Sequence, residues 1–448
     1  MGKKIGFVST RFSGTDGVSL ESSKWAEVLR CSGHDIFWFA GETDKSAECT
    51  YLVPEAHFKH ELNDRINQQA FGQRGRTPML TESIHTLRSL LKMRLHEFFN
   101  RYHIDLLIVE NALTIPMHVP LGLALTEAIA ESRIPTIAHH HDFHWERTHY
   151  AVNAVEDYLA MAFPPRLPEM AHVVINSDAR EQLALRSGLS AAVIPNVINF
   201  EHPPQIDLER TAAFREAIGL GPEDRMILQP TRIVQRKGIE HAVALVKALD
   251  DPRNKLVVSH EAGDEGYEYY KWLRAHAEEN GVDMRLVNGR LQDPWSCSTQ
   301  PGDVCSLWDI YPHADLVTYP SLIEGFGNAF LEAIYFKKPL LVNRYPVFIK
   351  DIEPMGFDLA VMDGYLTADT VHQVRTLLDS PQRREEMVEH NYALAARHFS
   401  YDVLRKNLEV LMSNLLHENV APLLGDPDRD PAKCLLTPAV ARPVSQAL

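Results

Sequence analysis

The sequence predicts an α/β fold made of two Rossmann-like domains that face each other across a cleft. The chain has 448 residues, which is too long for one compact core and suits two domains of roughly 200 residues each. Short apolar strands alternate with amphipathic helices, as is typical of parallel sheets covered by helices on both faces. This alternating series occurs twice, and a proline-containing stretch around Pro203 separates the two series.

The first series predicts a domain over residues 1–205. Its longest helix carries an apolar stripe at Ile84, Leu87 and Leu91, which is typical of a face turned toward a core. The predicted helices are Ser19–Cys31 and Leu80–Arg101. The predicted strands are Lys4–Ser9, Asp35–Ala40, Asp105–Val109, Thr136–His139, Val173–Asn176 and Ala192–Ile194.

The second series predicts a domain over residues 206–400. Its helices are expected at Ile239–Leu249, Tyr267–Asn280 and Asn328–Phe336. Its strands are expected at Met226–Gln229, Lys255–Ser259, Met284–Val287, Leu316–Tyr319 and Pro339–Asn343. A polar stretch at 291–309 predicts a long loop, and the proline-rich end at 421–448 predicts a disordered tail. Ligands of such sheets bind at the carboxyl ends of the strands, so a ligand is expected between the domains.

The composition excludes several classes of partner. The net charge is −15, so neither nucleic acid nor an anionic membrane is expected to be attracted at long range. No apolar run reaches the ~18–20 residues that a membrane span needs, so no stable membrane association is expected. The five cysteines show no CxxC spacing, which favours a reduced, cytoplasmic setting. The oligomeric state is left open.

The strongest chemical signal is a glycine-containing turn between a strand and a helix. Gly325 and Gly327 allow backbone amides to approach a ligand closely. The helix that follows offers free N–H groups and the positive end of its dipole, which suit an anion. Glu324 and Glu332 bracket this anion site, where they are suited to accept hydrogen bonds from sugar hydroxyls. The simpler alternative is a glycine turn with a capping glutamate.

A basic loop joins another strand to a helix in the second domain. It contains Arg232 and Lys237 and ends at Gly238. Two fixed cations and the amides of a helix start suit a diphosphate, whose charge grows as it leaves. Taken alone, such a loop is more often a solvated surface.

The first strand leads into a third loop, Gly14-Thr15-Asp16-Gly17. It lies where phosphate-binding loops occur in Rossmann-like domains. It matches neither GxGxxG nor a P-loop, so the signal is weak by itself.

A histidine-rich segment, His139–Arg147, ends a strand of the first domain and is expected to point into the cleft. Its four histidines and Asp142 also favour an alternative hypothesis, a metal-dependent hydrolase built on the cluster from His139 to His144. Adjacent residues of a strand point to opposite faces. His139, His140 and His141 therefore cannot converge without a sharp bend, and no metal ligand is assigned.

Together, the four segments resemble the family-4 glycosyltransferases, a large retaining family with the GT-B architecture. The spacing of Glu324 and Glu332 looks like the signature of that family, and Arg232 with Lys237 looks like its diphosphate-binding pair. The resemblance covers most of the chain. It implies that a helix within residues 401–420 crosses back to the first domain.

The resemblance also implies a role for each candidate residue. Glu324 is expected to contact the donor sugar and Glu332 the nucleotide ribose, with a nucleotide-diphosphate sugar as co-substrate and no further cofactor. The implied catalytic residues are His141, Glu324, Arg232 and Lys237, with His140 as the alternative to His141. The implied donor-binding residues are Gly14, Asp16, Gly17, Arg232, Lys237, Phe326, Gly327, Asn328 and Glu332.

Two segments are similar to sequences assigned to the mannosylglucosylglycerate synthase subgroup, namely the histidine-rich segment and 111–117. This similarity favours GDP-mannose as the donor, UDP-glucose next, and a small anionic acceptor such as glucosylglycerate. Segment 59–101 has eight Lys and Arg against four Asp and Glu, and arginine forks suit carboxylates. The predicted acceptor-binding residues are three arginines expected in a loop, together with His140: Arg65, Arg74 and Arg76. A solubilising surface loop is the alternative.

Two other classes of function remain as alternatives to a transferase. One is the metal-dependent hydrolase, and the other is a nucleotide-sugar-binding protein without catalysis. The set of four charged residues, Glu324, Glu332, Arg232 and Lys237, argues against the second, because degenerate members tend to lose such charges.

Overall fold

The computed structural model describes residues 2–14, 16–203, 214–260, 267–287 and 307–416. These residues form two large parallel sheets, each with apolar cores against its helices. The predicted fold class, two Rossmann-like α/β domains, is therefore confirmed. The 421–448 segment, most of 291–309 and most of the stretch between the domains (204–213) lie outside the described residues.

The first domain has a seven-stranded sheet in the order β5-β3-β1-β6-β7-β8-β9. Its register sets Glu110, at the end of β6, opposite His139 in β7. The strands are β1 (Lys4–Val8), β3 (Asp35–Ala40), β5 (Thr50–Leu52), β6 (Leu106–Glu110), β7 (Thr136–His140), β8 (Met170–Val174) and β9 (Ala191–Val193), with β2 (Arg11–Phe12) and β4 (Glu42–Thr43) paired beside them.

Six helices cover the first sheet within the described part of the domain. The apolar stripe predicted for the longest of them is buried in the core. The helices are α1 (Gly17–Cys31), α2 (Glu61–Ala70), α3 (Pro78–Tyr102), α4 (Val119–Ser132), α5 (Glu156–Ala162) and α6 (Ser177–Ser187).

The second domain has a six-stranded sheet in the order β12-β11-β10-β13-β14-β15. Its strands are β10 (Arg225–Gln229), β11 (Asn254–Val258), β12 (Met284–Leu286), β13 (Leu316–Tyr319), β14 (Leu340–Asn343) and β15 (Ala360–Met362). Its helices include Ile239–Leu249, Tyr267–Glu279, Leu307–Ile310, Asn328–Tyr335, Ala368–Asp379 and Pro381–Phe399.

The two domains touch at several places besides the cleft. The final helix, Tyr401–Leu416, packs its apolar face into the first-domain core that includes Trp25 of α1. At the start of α6, the backbone N–H of Ser177 donates to Asp351 of the second domain at 2.7 Å. A carboxylate at a helix N-terminus is stabilised by the helix dipole. No helix in the described residues is long and apolar enough to cross a bilayer.

One local prediction is wrong. The segment around Arg65 is expected to be a loop, but it belongs to helix α2. Asn63, Ile66 and Ala70 are buried at helical spacing, and the His60 side chain caps the helix start. The nearby glycines obscured this short amphipathic pattern.

Candidate active site

The histidine-rich segment places two imidazoles beside a buried carboxylate. The Oε2 atom of Glu110 lies 2.9 Å from Nδ1 of His139 and 3.3 Å from Nε2 of His141. Glu110 and His139 are wholly buried, and the side chain of His141 is 10% exposed. The ring of His139 stacks on Trp25 of α1 at 4.1 Å. Because β6 and β7 are parallel neighbours, the fold brings these groups to one edge of the sheet.

The protonation of this group follows from its contacts. Burial alone would raise the pKa of Glu110, but His139 and His141 lower it to about 2. Burial would lower the pKa of His141, but the hydrogen bond to Glu110 outweighs it, so the pKa is raised. For His139 burial prevails and the pKa is lowered. The carboxylate is therefore ionised, and His141 is the imidazole that holds a proton more readily.

His140 lies on the opposite face of the sheet, as strand alternation requires. Its Nε2 atom is 2.9 Å from Nδ1 of His172, and 1% of His140 is exposed. Burial lowers the pKa of His140 well below its ordinary value and that of His172 to about 4. The structure therefore puts His140 among buried groups and apart from the Glu110 side, unlike the acceptor contact predicted for it.

Metal-ligand spacing occurs at Glu110, His139 and His141, whose ligand atoms lie within 4.8 Å of one another. This trio differs from the predicted cluster, because it excludes His140 and His144 and adds a carboxylate from β6. The two shortest distances are each accounted for by a hydrogen bond between histidine and carboxylate.

Asn111 holds the loop that follows His141. It has a positive φ of 57°, a backbone conformation that asparagine tolerates better than most residues. Its Oδ1 atom accepts from the backbone N–H of His141 at 3.1 Å, and its Nδ2 atom donates to Asp142 at 2.8 Å. Asp142 also accepts from Arg147.

In the second domain, Lys237 and Glu324 form an ion pair at the carboxyl ends of β10 and β13. Their side chains are 11% and 10% exposed. Burial lowers the pKa of Lys237, and Glu324 counters part of that effect. Gly238, which follows the lysine, has a φ of +59°, and a Cβ atom there would lie 2.6 Å from the carbonyl oxygen of Pro320.

Arg232 is exposed beside this pair and has no carboxylate partner among the described residues. His260, at the end of β11, faces the same cations. Burial first, and then Arg232 and Lys237, lower the pKa of His260 to about 4. Its Nδ1 atom lies 2.8 Å from Oγ of Ser259. This edge of the cleft therefore carries the two cations Arg232 and Lys237 and one carboxylate, Glu324.

The glycine turn packs against the hydroxyl groups of two buried tyrosines, Tyr319 and Tyr345. Gly327 has a φ of +125°, and a Cβ atom there would lie 2.6 Å from the Tyr345 hydroxyl. That hydroxyl donates to the carbonyl of Phe326 at 2.6 Å. The Phe326 ring is buried against Phe399, so it presents its backbone rather than its ring to the cleft. Glu332 accepts from Tyr311 at 2.8 Å, and burial raises its pKa.

The turn contacts the first domain directly. The carbonyl of Gly325 accepts from Asn176 at 2.6 Å. A Cβ atom on Gly325 would lie 3.6 Å from the carbonyl oxygen of His141. Asn328 accepts from Asn196 at 2.6 Å. The glycine turn and His141 thus lie side by side across the two domains.

The first-domain loop lies against the same turn. Asp16 caps α1 by accepting from the amides of Val18 and Ser19, and it also accepts from Arg11 at 2.9 Å. A Cβ atom on Gly17 would meet only Asn328, at 3.9 Å. Gly14 has a positive φ and open space around it. The N-termini of α1 and of the helix Asn328–Tyr335 therefore face each other.

The three predicted acceptor arginines do not form one group. Arg65 pairs with Glu61 within α2. Arg76 pairs in a bidentate fashion with Asp157 at 2.6 and 2.8 Å. Arg74 is exposed and has no ion-pair partner among the described residues.

Sequence comparison decides the family. Residues 211–394 match the family described as glycosyl transferases group 1. A mannosylglucosylglycerate synthase of Thermotoga maritima is 31% identical over 436 residues, which cover 90% of this chain and 97% of that protein. The chain belongs to the group 1 glycosyltransferases. A second mannosylglucosylglycerate synthase, from Petrotoga mobilis, is 32% identical over 384 residues, or 80% of this chain and 86% of that protein.

Solved structures agree on the fold of this glycosyltransferase. A glycosyltransferase from Rickettsia africae has a TM-score of 0.67 at 13% identity and covers 93% of this chain and 100% of its own. A sucrose-phosphate synthase from Thermosynechococcus elongatus has a TM-score of 0.64 at 14% identity, with the same coverages. At sequence identities this low, the comparison of structures shows the GT-B fold and nothing about activity. With the family shown, the chain is a transferase that acts by glycosyl transfer.

Several residues at or near the candidate site were not predicted from the sequence. Glu110 ends an apolar strand, Trp25 lies within a helix, and His260 stands alone after β11. The only sequence signal was a polar residue at the carboxyl end of a predicted strand, which marks Glu110 and His260 but not Trp25.

Proposed function

We propose that this glycosyltransferase is a retaining enzyme that transfers a hexose from a nucleotide-diphosphate sugar to a small anionic hydroxyl acceptor. One observation carries the proposal. The glycine turn after Glu324 lies against His141 of the other domain, and Lys237 pairs with Glu324 at the same point. Cations for a leaving diphosphate, a carboxylate for sugar hydroxyls and a histidine thus meet in one cleft.

In this proposal the donor lies mainly on the second domain. Arg232 and Lys237 bind the diphosphate, whose growing charge they stabilise as it leaves. Glu324 accepts hydrogen bonds from the sugar, and Glu332 contacts the ribose. Gly327 and Asn328, together with the backbone of Phe326, lie along the sugar and phosphates. From the first domain, Gly14, Asp16 and Gly17 contact the donor.

The donor proposed first is GDP-mannose, and UDP-glucose is second. The names of the two relatives above favour a mannosyl donor. The Anabaena HepE protein, which has a TM-score of 0.63 at 13% identity, was solved in complex with UDP-glucose, a donor of the proposed nucleotide-sugar class. The acceptor proposed first is glucosylglycerate, because it combines a free hydroxyl with one carboxylate.

The reaction requires no side-chain base in this scheme. The acceptor hydroxyl attacks the anomeric carbon on the face from which the diphosphate departs, and a departing phosphate oxygen takes the proton. His141 orients the sugar and stabilises the positive charge that develops on it through hydrogen bonding. Arg232 and Lys237 neutralise the leaving group, so catalysis needs no metal ion. Closure of the two domains excludes water and strengthens these fixed charges.

For the acceptor, Arg74 is the strongest remaining candidate of the predicted three, because Arg65 and Arg76 already hold carboxylates. Arg11 also pairs with a carboxylate, that of Asp16, and it is a further candidate because of its position. It lies at the loop that faces the glycine turn and approaches the Phe58 ring at 5.3 Å. A carboxylate of the acceptor would compete with Asp16 for this guanidinium.

The experiment is a donor-by-acceptor matrix with the full-length protein. GDP-mannose and UDP-glucose are each offered with glucosylglycerate and with its uncharged glucosylglycerol counterpart, and the product is analysed by NMR. The expected product is an α-linked mannoside formed from GDP-mannose and the charged acceptor. A β-linked product from the same α-linked donor would refute retention, and hydrolysis without transfer would refute the acceptor class.

A further inference from the structure

We infer that Glu110 is the positioning residue of His141: its carboxylate fixes which ring nitrogen His141 turns toward the cleft. This inference rests on the proposed function, in which His141 faces the donor sugar. It adds a residue from a different strand, to which no role in this site has been given.

His139 and His141 share one hydrogen-bond acceptor. One oxygen, Oε2 of Glu110, lies within 3.3 Å of both His139 and His141. A carboxylate only accepts hydrogen bonds, so both imidazoles must donate. His139 therefore carries its proton on Nδ1, and His141 carries one on Nε2. This leaves the Nδ1 atom of His141 as the ring nitrogen that is available to a ligand.

Among the described residues, the carboxylate of Glu110 has hydrogen bonds only to His139 and His141. Its second oxygen, Oε1, is buried without a hydrogen-bond partner, and so is Nε2 of His139. Unpaired buried polar atoms cost stability, so apolar residues would pack this site better. A buried group kept at such a cost is typical of a functional site.

His139 and Trp25 pack beside the His141 ring and help to hold it in place. Trp25 stacks on His139 with an interplanar angle of 20°, and His139 lies 4.4 Å from the ring of His141, centroid to centroid. The other charged groups that act on His141 are Glu21 from α1 and Asp142 from its own loop. Glu21 is already engaged by Lys24 and by the amide of Val197. Of the carboxylates, Glu110 is the one bonded to the His141 ring.

The chemistry follows from the ring nitrogen. When His141 is protonated on both nitrogens, Nδ1 donates to a hydroxyl of the sugar. When His141 is neutral, Nδ1 accepts from the same hydroxyl. If the proton moved from Nε2 to Nδ1, the neutral ring could only donate, and the sugar would lose the acceptor that orients it.

The test combines kinetics with a direct measurement of the tautomer. Glu110→Gln keeps the shape of the side chain, and Glu110→Ala removes it. His172→Gln is the matched control, because it changes a buried histidine on the opposite face of the sheet. Side-chain ¹⁵N NMR of the histidines reports the tautomer of His141, with His141→Ala used for assignment, and thermal melting reports folding.

Both Glu110 variants are expected to lower kcat by about 10- to 100-fold, the loss typical when the partner that orients a functional histidine is removed. The donor KM should change by less than about threefold, because a positioning residue does not touch the donor. His141 should lose its preference for the Nε2–H tautomer in Glu110→Ala, which removes the acceptor oxygen, and Glu110→Asp should restore part of the rate. His172→Gln should change neither property.

Three results would overturn the inference. The first is wild-type kcat in Glu110→Gln while His141→Ala is inactive, which would leave the proposed function intact. The second is an unchanged His141 tautomer in a folded but slow Glu110→Ala variant. The third is one equivalent of a metal ion that is bound to the untagged wild-type protein and absent from Glu110→Gln. If His141→Ala itself is fully active, the failure lies with the proposed role of His141.

Discussion

Lys237 and Glu324 are 87 residues apart in sequence and form an ion pair with little exposure to solvent. The pair joins the basic loop to the glycine turn, so the group proposed to bind the diphosphate and the group proposed to bind the sugar hold each other in place. A bound donor would be held by both groups at once. Loss of either partner leaves a buried charge uncompensated.

Replacing Lys237 with Ala is expected to abolish most turnover. Removal of one fixed donor to a developing charge costs about 3–4 kcal/mol, or roughly 10²- to 10³-fold in kcat. Arg236→Ala is the matched control, because Arg236 is half exposed and lies 3.6 Å from Glu324; its kcat should stay within about threefold of wild type. If Lys237→Ala is folded and its kcat is within about tenfold of wild type, the diphosphate role is wrong.

The two glutamates of the turn are expected to differ in the ligand that they affect. Glu332→Ala should weaken binding of free nucleoside diphosphate, because Glu332 is proposed to contact the ribose. Glu324→Ala should weaken binding of the sugar nucleotide more than that of the diphosphate. Isothermal calorimetry with both ligands measures this difference. Equal losses for both variants on both ligands would contradict the assignment.

Chelation is expected to leave activity unchanged, because Arg232 and Lys237 supply the positive charge that a metal would otherwise provide. The measurement is turnover in EDTA, with metal analysis of protein purified without a His tag. Loss of turnover that zinc restores would instead favour a hydrolase centred on Glu110, His139 and His141.

Acid is expected to destabilise the protein through its buried neutral histidines. Burial lowers the pKa of His118 and of His172 from 6.5 to about 4. Below pH 6.5 the unfolded chain takes up protons that the folded chain does not, so stability is lost as the pH falls from 6.5 toward 4. Each histidine should cost about 2 kcal/mol at pH 5. Urea unfolding at pH 7.5 and pH 5 measures this loss, and His172→Gln should show a drop smaller by about that amount. An equal drop in the variant would mean that His172 is protonated in the fold.

Arg74→Ala is expected to raise the acceptor KM and leave donor hydrolysis unchanged, because Arg74 is an exposed arginine without an ion-pair partner in the described chain. Arg11→Ala should raise the KM of the acceptor and also the KM of the donor, since Arg11 also holds Asp16 at the donor loop. Arg133→Ala is the control. Arg133 follows the end of α4 and pairs with Glu169, and both residues lie at the amino-terminal ends of β7 and β8, at the opposite edge of the sheet from the site. Wild-type acceptor kinetics in both Arg11→Ala and Arg74→Ala would mean that neither arginine binds the acceptor.

The sequence predicted the layout of the fold well because strand and helix periods differ. Alternation along β7 correctly separated His140 from His139 and His141. The partner of those two histidines was not predicted, since Glu110 lies 29 residues earlier and only the register of β6 with β7 brings them together. Helix α4 was missed, because the run that begins at Val119 is apolar on nearly every face and shows little helical contrast. The ion pair of Arg76, which was predicted to bind the acceptor, was not foreseen either, because its partner Asp157 is 81 residues away and leaves no local pattern.

The hydrogen bond from Asn176 to the carbonyl of Gly325 makes the two halves of the enzyme dependent on each other. The shape of the glycine turn is set partly by a side chain from the first domain, and Asn196 holds Asn328 in the same way. A fragment of residues 206–400 would therefore lack two of the hydrogen bonds that hold the proposed donor site. If this half is exchanged with that of a relative, we expect the hybrid to need both asparagines in its first domain to keep the shape of the turn.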